Sequence, residues 1–161
     1  MDTITHQVDA LLVKQAFSRL AAETSVVALV DHNQVKMGLT VTAVTSVSLE
    51  PPLVLVCVNN HSRTIRVFKS GRPFSMNMLS FDQKWIGLQF ASQVEDKFAQ
   101  IETHIGDHGG LLIKDALASL ECEPYSIHLV GDHHIIVGRI LGVHLGPDAR
   151  PLVYFRSQFL D

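Results

Sequence analysis

The segment that most constrains the fold spans residues 38–58 and reads GLTVTAVTSVSLEPPLVLVCV. It starts with a glycine, continues with small and hydroxyl-bearing residues, and reaches two prolines at positions 51 and 52. An uninterrupted apolar run follows at residues 53–58, which is typical of a strand buried on both faces. Because Thr and Val favour extended backbone, the segment predicts two strands separated by a break at the prolines.

The hydroxyls of this segment suit a flat heteroaromatic ligand. Thr40, Thr45 and Ser46 can offer donors and acceptors, and the small residues beside Gly38 leave backbone polar groups open. A flavin is planar, apolar on its faces and rich in polar atoms along its edges, so it is the ligand that we infer. In the alternative interpretation these residues are solvent-facing hydroxyls of an ordinary strand, which Thr40 and Thr42 fit well.

Hydrophobic patterning along the rest of the chain predicts more strands than helices. An amphipathic helix is expected over residues 8–22, and a later one should place Trp85, Leu88 and Phe90 in the core. Strands are predicted at residues 25–31, 35–41, 42–49, 53–58, 73–79, 121–130, 135–145 and 151–156, and further helices at residues 62–71, 82–91 and 94–101. No linker or repeat divides residues 1–161, so we expect one domain. This order predicts an antiparallel barrel with peripheral helices.

Composition narrows the class of protein. Of the 161 residues, 47% are apolar and only 18% are charged, which favours burial of apolar surface between subunits and hence a dimer. The net charge of −3, without a basic patch, argues against a nucleic-acid partner. The first ten residues do not resemble a leader, and no apolar run is long enough to cross a bilayer. We therefore expect a cytoplasmic protein without a membrane partner.

Two cysteines, Cys57 and Cys122, lie in apolar stretches. They are expected to be reduced core thiols, although a disulfide would be possible if their strands adjoined. Nine histidines invite a metal site, but no Cys or Glu completes a recognised ligand set, so we predict none. Neither GxGxxG, Walker A nor GxSxG occurs, which leaves Rossmann, P-loop and hydrolase sites without support.

A phosphate site is predicted at residues 62–64. Ser62, Arg63 and Thr64 stand at a helix start and supply hydroxyls, a cation and backbone N–H groups. An isolated Ser-Arg-Thr would more often be an ordinary helix cap. Its position shortly after the strand that follows the Thr/Ser segment makes us favour the phosphate site.

Several short motifs, in this order, resemble the short-chain flavin reductases, a family with the FMN-binding split-barrel fold. They are Gly38-Leu39-Thr40, Thr45-Ser46-Val47-Ser48-Leu49-Glu50-Pro51-Pro52, Asn59-Asn60-His61-Ser62-Arg63-Thr64, Phe74-Ser75-Met76-Asn77-Met78-Leu79, Phe90-Ala91, Gly131-Asp132-His133-His134 with the strand to Arg139, and Pro151-Leu152-Val153-Tyr154. They cover nearly the whole chain. The resemblance implies a mainly β, antiparallel Greek-key split barrel, and a homodimer that uses NADH or NADPH to reduce FMN or FAD. Reduced flavin would then be available to a separate monooxygenase.

The resemblance also implies site residues. His133, in a Gly-Asp-His motif, would lie beside the flavin and the nicotinamide, where it orients the nicotinamide or carries charge; alternatively it is a surface turn histidine. His134 is expected to face the opposite side of the strand. The flavin would contact Gly38, Thr40, Thr42, Thr45, Ser46, Val47, Ser48, Asn59, Ser62, Arg63, Thr64, Asn77, Phe90, Lys97 and Tyr154. Lys97 would otherwise be a solvated lysine, and Tyr154 a core aromatic.

Two other functions stay open from the sequence. A flavin-binding electron carrier would hold FMN without oxidising NADH. A barrel that binds a small apolar ligand or a partner protein would be indifferent to flavin, and the Thr/Ser segment would then be a plain strand edge.

Overall fold

The computed structural model describes residues 8–160. In this range the α-helices are α1 (Ala10–Phe17), α2 (Thr64–Lys69) and α3 (Lys84–Ala91), and a 3₁₀ turn at Phe81–Gln83 precedes α3. The strands are β1 (Ala22–Glu23), β2 (Ser25–Val30), β3 (Lys36–Val41), β4 (Val44–Leu49), β5 (Pro52–Asn59), β6 (Phe74–Met78), β7 (Thr103–Ile105), β8 (Leu111–Ile113), β9 (Ala118–Val130), β10 (His133–Leu145), β11 (Val153–Phe155) and β12 (Gln158–Phe159). None of these helices is long and apolar enough to span a membrane.

Seven strands form one antiparallel sheet in the order β3-β2-β6-β9-β10-β5-β4. The longest strands, β9 and β10, have 13 residues each and pair along their length. The two edge strands, β3 and β4, are consecutive in the chain and are joined by Thr42 and Ala43. The twisted sheet therefore curls until its edges approach without a ladder between them, which is the split of the barrel.

Two smaller sheets flank the barrel. Strands β1, β11 and β12 form one, in which β11 and β12 are a hairpin, and β7 pairs with β8 in the other. Helix α3 lies between the barrel and the hairpin, because Gly87 on α3 faces Leu152 and Phe159 at van der Waals distance. This packing puts β3, α3 and the β11–β12 hairpin around one common space.

Apolar side chains are buried in two clusters on opposite sides of the sheet. Because successive side chains of β2 point to opposite faces, this strand contributes to both clusters. Val27 and Leu29 enter the barrel interior, whereas Val26 and Ala28 pack under α3. Val54, Val56, Phe68, Phe74, Met76 and Ile136 belong to the interior cluster, and Leu79, Ile86, Phe90, Leu111 and Leu152 to the second cluster. The second cluster fixes α3 and the hairpin to the barrel, and so supports the space between them.

Most predicted elements are confirmed. Strand β5 forms where it was predicted, helix α2 begins at Thr64, and Gly131 with Asp132 forms the turn between β9 and β10. The glycine in that turn has a φ of 60°, a value that glycine adopts without strain. The predicted burial of β5 on both faces is wrong, because Leu55 and Cys57 are half-buried and alternate with the buried residues of the other face. Cys57 and Cys122 are free thiols, as expected, and burial raises the pKa of both, that of Cys122 to about 12.

Three predictions about helices are wrong. Helix α1 is shorter than residues 8–22, and residues 22–23 form β1 instead. On α3, Trp85 and Leu88 are exposed by 45% and 53%, because Ile86 and Phe90, one turn apart, form the inward face.

Residues 94–101 form turns rather than a helix. The carboxylate of Asp96 accepts a hydrogen bond from its own chain two residues on, at the N–H of Phe98. The side-chain amide of Gln89 donates to the carbonyl oxygens of Lys97 and Ala99, so these carbonyls are satisfied by tertiary contacts instead of helical ones. A sequence pattern of apolar spacing contains no sign of this competition.

Candidate functional site

A cavity with a volume of about 590 Å³ lies between β3, α3 and the β11–β12 hairpin. This falls within the range of ligand sites, roughly 300–1,000 Å³. Its lining residues are Thr40, Thr42, Lys84, Leu88, Ala91, Tyr154, Ser157, Gln158 and Phe159. Hydroxyls and amides therefore share the wall with apolar and aromatic groups, an arrangement that suits a planar ligand with a polar edge.

Thr40 and Thr42, at the end of β3, form the barrel side of the cavity. The hydroxyl of Thr40 donates to the carbonyl oxygen of Gly87 at 2.6 Å, which ties β3 to α3. Thr42 is exposed and lies in the link between the two edge strands, at the split itself. The structure thus brings these two predicted residues together, with one hydroxyl bound to the protein and the other open to solvent.

The ring of Phe90 packs against Gly38, where the Cβ of any other residue would lie. A Cβ on Gly38 would lie 2.6 Å from the ring of Phe90, and that ring is 1% exposed in the second core cluster. The predicted contact of the Phe90 ring with a ligand is therefore wrong. Gly38 is half-exposed on the edge strand β3, and its predicted backbone contact with a ligand stays a prediction. Glycine is required here so that an aromatic ring of the same chain can pack against β3.

Asn77 is another residue that was predicted to contact the ligand but whose side chain lies inside the protein. Its side chain is fully buried, and its amide donates to the carbonyl oxygens of Val26 and Leu111 and to the hydroxyl of Ser75. Its oxygen accepts from the N–H of Ile113 and the hydroxyl of Ser119. Because all its polar atoms are satisfied inside the protein, Asn77 holds β6 to its neighbours and offers nothing to a ligand.

Two cations stand near the α3 end of the cavity. The ammonium of Lys97 donates to the carbonyl oxygen of Phe90 at 2.7 Å, next to the cavity residue Ala91. Burial lowers the pKa of Lys97, and the positive charge of Arg63 lowers it further. Within residues 8–160 neither Lys97 nor Arg63 forms an ion pair with a carboxylate. The two like charges are therefore close together without an anion.

The segment before α2 places Arg63 beside these groups. Ser62 is half-buried, and its hydroxyl shares a hydrogen bond of 2.8 Å with the hydroxyl of Thr64. Thr64 is only 3% exposed, so the predicted direct contact of its side chain with a phosphate is not supported. Ser62 and Arg63 remain accessible, and Thr64 fixes the orientation of Ser62.

Strand β4 carries the other predicted hydroxyls along the open side of the split. Thr45, Ser46 and Val47 are exposed, and Ser48 is half-buried. The pairing of β4 with β5 shifts register between Ser46 and Ser48, which leaves Val47 as a bulge. One edge of β4 has no partner strand in the described sheet, so its backbone N–H and C=O groups are open to a ligand or to another subunit.

His133 lies at the start of β10, opposite Asn59 of β5. Its Nδ1 is 2.7 Å from a carboxylate oxygen of Asp132, and this histidine lowers the pKa of that carboxyl. The oxygen of Asn59 accepts from the N–H of His61, so the neighbouring loop is a tight turn. His134 is 6% exposed and faces the barrel interior, which confirms the predicted opposite orientation of the two histidines.

Tyr154 lines the cavity as predicted, with its ring 5.4 Å from that of Phe159 in an edge-to-face contact. The other lining residues were not predicted as ligand contacts; they are Lys84, Leu88, Ala91, Ser157, Gln158 and Phe159. Those from the hairpin follow an Arg-Ser turn that lacks the glycine or asparagine of a usual hairpin signal. No group of three or more possible metal ligands occurs in residues 8–160.

The fold and the site define a class: a split β-barrel with a cavity of ligand size, near two cations that have no carboxylate partner in residues 8–160. This chain belongs to the flavin reductase-like family, because the family profile described as "Flavin reductase like domain" matches residues 17–161. The predicted family and the predicted split-barrel fold are thereby confirmed.

Individual relatives agree. A Rhizobium meliloti (strain 1021) protein named "Probable flavin reductase" is 38% identical over 132 residues, which are 82% of this chain but 42% of that protein. The reductase component of 4-hydroxyphenylacetate 3-monooxygenase from Thermus thermophilus is 34% identical over 146 residues, 91% of this chain and 92% of that protein. This chain thus spans under half of one relative and nearly all of the other.

A solved structure is similar over its whole length. The NADH:FAD oxidoreductase SgcE6 of Streptomyces globisporus C-1027, in complex with NAD and FAD fragments, has a TM-score of 0.88 and 27% identity. The match covers 95% of this chain and 92% of that one. The predicted oxidoreductase class agrees with these names, and the predicted flavin and nicotinamide agree with the fragments in that complex.

Proposed function

We propose that this chain is an NAD(P)H:flavin oxidoreductase, which uses NADH or NADPH to reduce FMN or FAD. One observation carries the proposal: a cavity beside the split of the barrel ends near two cations, Arg63 and Lys97, that have no carboxylate partner among the described residues. Two neighbouring cations without an anion are a poor arrangement for stability alone, and a phosphorylated ligand would neutralise them.

The cavity residues fit a flavin ring. Leu88 and Phe159 supply apolar surface for the faces of the ring, and Thr42 supplies an unengaged hydroxyl for its polar edge. Thr40 can still accept a hydrogen bond while it donates to Gly87. Tyr154 closes the space beside Phe159. These residues would hold the ring in one plane and exclude water from one face.

Arg63 and Lys97, with the hydroxyl of Ser62, would bind the phosphate of the flavin. Charge-assisted hydrogen bonds from such groups are the strong ones in phosphate recognition. Further contacts along the split would come from the exposed hydroxyls of Thr45 and Ser46 and the half-buried hydroxyl of Ser48. The open strand edge at Val47 and the side chain of Asn59 would complete them.

His133 would contact the nicotinamide. When bound, the flavin supplies a ring that accepts a hydride from reduced nicotinamide, a transfer that needs no general base. Asp132 binds Nδ1 of His133, so the other ring nitrogen is left for the nicotinamide. The role of the histidine is therefore to orient the hydride donor and to add charge near it.

A homodimer is part of the proposal. Helix α1 buries no side chain within the described protomer, and Leu11, Leu12 and Phe17 are exposed by 66%, 60% and 69%. Strands β9 and β10 expose further apolar residues at both ends of their ladder, among them Leu129 near the turn and Val143 at the opposite end. Apolar surface of this extent is typical of an interface between subunits. Reduced flavin would leave the dimer for a separate monooxygenase, a proposal supported by relatives that are named as the reductase parts of monooxygenases.

The test is a titration of the purified protein with FMN and with FAD, followed by oxidation of NADH and NADPH with each flavin. We expect flavin absorbance to shift on binding, and nicotinamide oxidation only when flavin is present. A protein that binds flavin without oxidising either nicotinamide would be an electron carrier. A protein that leaves the flavin spectrum unchanged would refute the flavin site altogether. Gel filtration with light scattering checks the dimer.

A further inference from the structure

The turn between β11 and β12 has an unfavourable backbone conformation next to the cavity. Arg156 and Ser157 are the two residues between the paired strands, and their φ angles are 49° and 64°. A two-residue hairpin turn with both φ positive strongly prefers Asn-Gly or Gly-Gly. Residues with a Cβ are strained in this conformation. Such strain persists where surrounding contacts hold the backbone, often at ligand sites.

Contacts on three sides hold this turn in place. The N–H of Arg156 donates to the carbonyl oxygen of Ser18, just after α1, at 2.7 Å. The N–H of Leu160 donates to the carbonyl oxygen of Val153, and the rings of Tyr154 and Phe159 pack edge to face across the hairpin. The backbone of the turn is therefore held in place before any ligand binds, so the side chains of the turn and of β12 start from fixed positions.

Ser157 and Gln158 both line the cavity and are exposed to it or to solvent. Within residues 8–160 neither side chain has a hydrogen-bond partner. The amide of Gln158 offers one acceptor and two donors in one plane. Its complement is a ring edge that alternates carbonyl, N–H and carbonyl, which is the imide edge of the flavin pyrimidine. A serine hydroxyl next to it can serve as a further donor or acceptor.

We propose that Ser157 and Gln158 are specificity-determining residues that recognise the imide edge of the flavin ring. The inference rests on the proposed flavin reductase function, whose site it deepens. Gln158 donates to a carbonyl oxygen of the imide and accepts from its N–H, and Ser157 donates to the remaining carbonyl oxygen. The chain keeps serine at a position that favours glycine because the hydroxyl contributes to binding.

The role of Gln158 is tested by measuring the binding of oxidised riboflavin and of N3-methylriboflavin. Flavin fluorescence, recorded without nicotinamide, reports the binding. The methyl group removes the imide N–H and leaves the ring otherwise intact. Wild-type protein should bind riboflavin about 5–30-fold more tightly than the methylated form, the range expected for one to two neutral hydrogen bonds. Gln158→Ala should weaken riboflavin binding by a similar factor and lose the discrimination. The exposed Gln93→Ala, outside the cavity, should behave as wild type.

Ser157→Gly tests the strained turn. Because glycine adopts positive φ freely, this variant should raise the Tm by about 2–4 °C and still weaken riboflavin binding several-fold. The control is Gln100→Gly, since Gln100 also has a positive φ, 63°, but lies outside the cavity. It should raise the Tm and leave flavin binding unchanged.

The outcomes separate the two proposals. If wild-type protein neither binds nor reduces flavin, the proposed function itself fails. If wild-type protein does both, but Gln158→Ala and Ser157→Gly bind riboflavin as tightly as wild type and keep its discrimination, only the assignment of the hairpin is overturned. An increase of the KM for NADH with unchanged flavin affinity would also overturn it, because the hairpin would then contact the nicotinamide.

Discussion

The hydroxyl of Thr40 donates a hydrogen bond of 2.6 Å to the carbonyl oxygen of Gly87, and this bond joins strand β3 to helix α3 across the cavity wall. It fixes the distance between the hydroxyl-bearing wall and the apolar wall that Leu88 provides. A planar ligand fits between two walls only while their separation is held. The bond therefore connects the packing of α3 directly to the shape of the proposed flavin site.

Thr40→Val removes this bond without a large change in volume. We expect a loss of stability of about 1 kcal/mol, the usual net contribution of one hydrogen bond, and a several-fold increase in the Kd for flavin, because α3 is no longer tied to β3. Thr40→Ser keeps the hydroxyl and should retain most of both properties. Urea unfolding and flavin titration measure the two effects. Equal flavin affinity in the Val and Ser variants would show that the bond does not shape the site.

Removing the positive charge of Arg63 or of Lys97 should weaken the binding of phosphorylated flavin only. Arg63→Gln and Lys97→Met are each expected to raise the Kd for FMN about 10–100-fold, the range for one hydrogen bond to a charged group. Riboflavin, which lacks the phosphate, should bind each variant as it binds wild type. Arg66→Gln, an exposed residue on α2, controls for the change in net charge. A parallel loss of riboflavin affinity would place these side chains at the ring instead.

The features that the sequence could predict are local ones. The apolar run of β5, the Gly-Asp turn before His133 and the start of α2 at Thr64 each depend on residues within a few positions of one another. The split of the barrel follows from residues 38–58, because Thr42 lies in the link between β3 and β4, which are the opposite edges of the sheet. The order of the motifs also predicted the flavin reductase-like family correctly.

The errors concern contacts between residues far apart in the chain. Phe90 was assigned to the ligand, yet its ring packs against Gly38, a contact that no spacing of residues reveals. Asn77 is polar within a strand, and only the positions of Leu111 and Ile113 show that its hydrogen bonds are all internal. Tyr154 on the hairpin was predicted, but Ser157 and Gln158 were missed because Ser157 has a glycine-like φ without being glycine.

Glu23 predicts a pH dependence of stability. Burial raises its pKa to about 7, although hydrogen bonds from Ser25 and the backbone of Leu79 act to lower it. One of its oxygens is buried without a hydrogen-bond partner among residues 8–160. Since the pKa of the unfolded chain is near 4.5, the folded state binds this proton more tightly. The contribution of Glu23 to stability is therefore greatest below the unfolded value, falls as the pH rises from about 4.5 to 7, and is constant above.

Glu23→Gln removes the buried negative charge. We expect the variant to exceed wild type in stability by about 1–3 kcal/mol at pH 8 and by little at pH 4.5, as measured by urea unfolding at both values. The exposed Glu95→Gln serves as the control, with no such difference between the two pH values. A variant that is less stable than wild type at pH 8 would mean that the carboxylate is paired with a cation in the assembled protein.

Glu121 presents the opposite case, a fully buried carboxylate with a complete set of partners. It accepts hydrogen bonds from Nε2 of His144 at 2.7 Å and from the N–H groups of His108 and Gly110. Burial would raise its pKa, but these hydrogen bonds together lower it. A Cβ on Gly106 would lie on the carboxylate, so the loop before β8 is built around this group.

Glu121→Gln should destabilise the protein by about 2–4 kcal/mol at pH 7, because an amide N–H₂ group would face N–H donors in a buried position. The stabilisation from the carboxylate is present above the unfolded pKa near 4.5 and is lost as the pH falls through the lower, folded value, so the difference from wild type should shrink in acid. Glu123→Gln, on the same strand but half-exposed and 3.8 Å from Arg139, should cost less than about 1 kcal/mol. Equal unfolding midpoints for the two variants would show that the loop does not depend on Glu121.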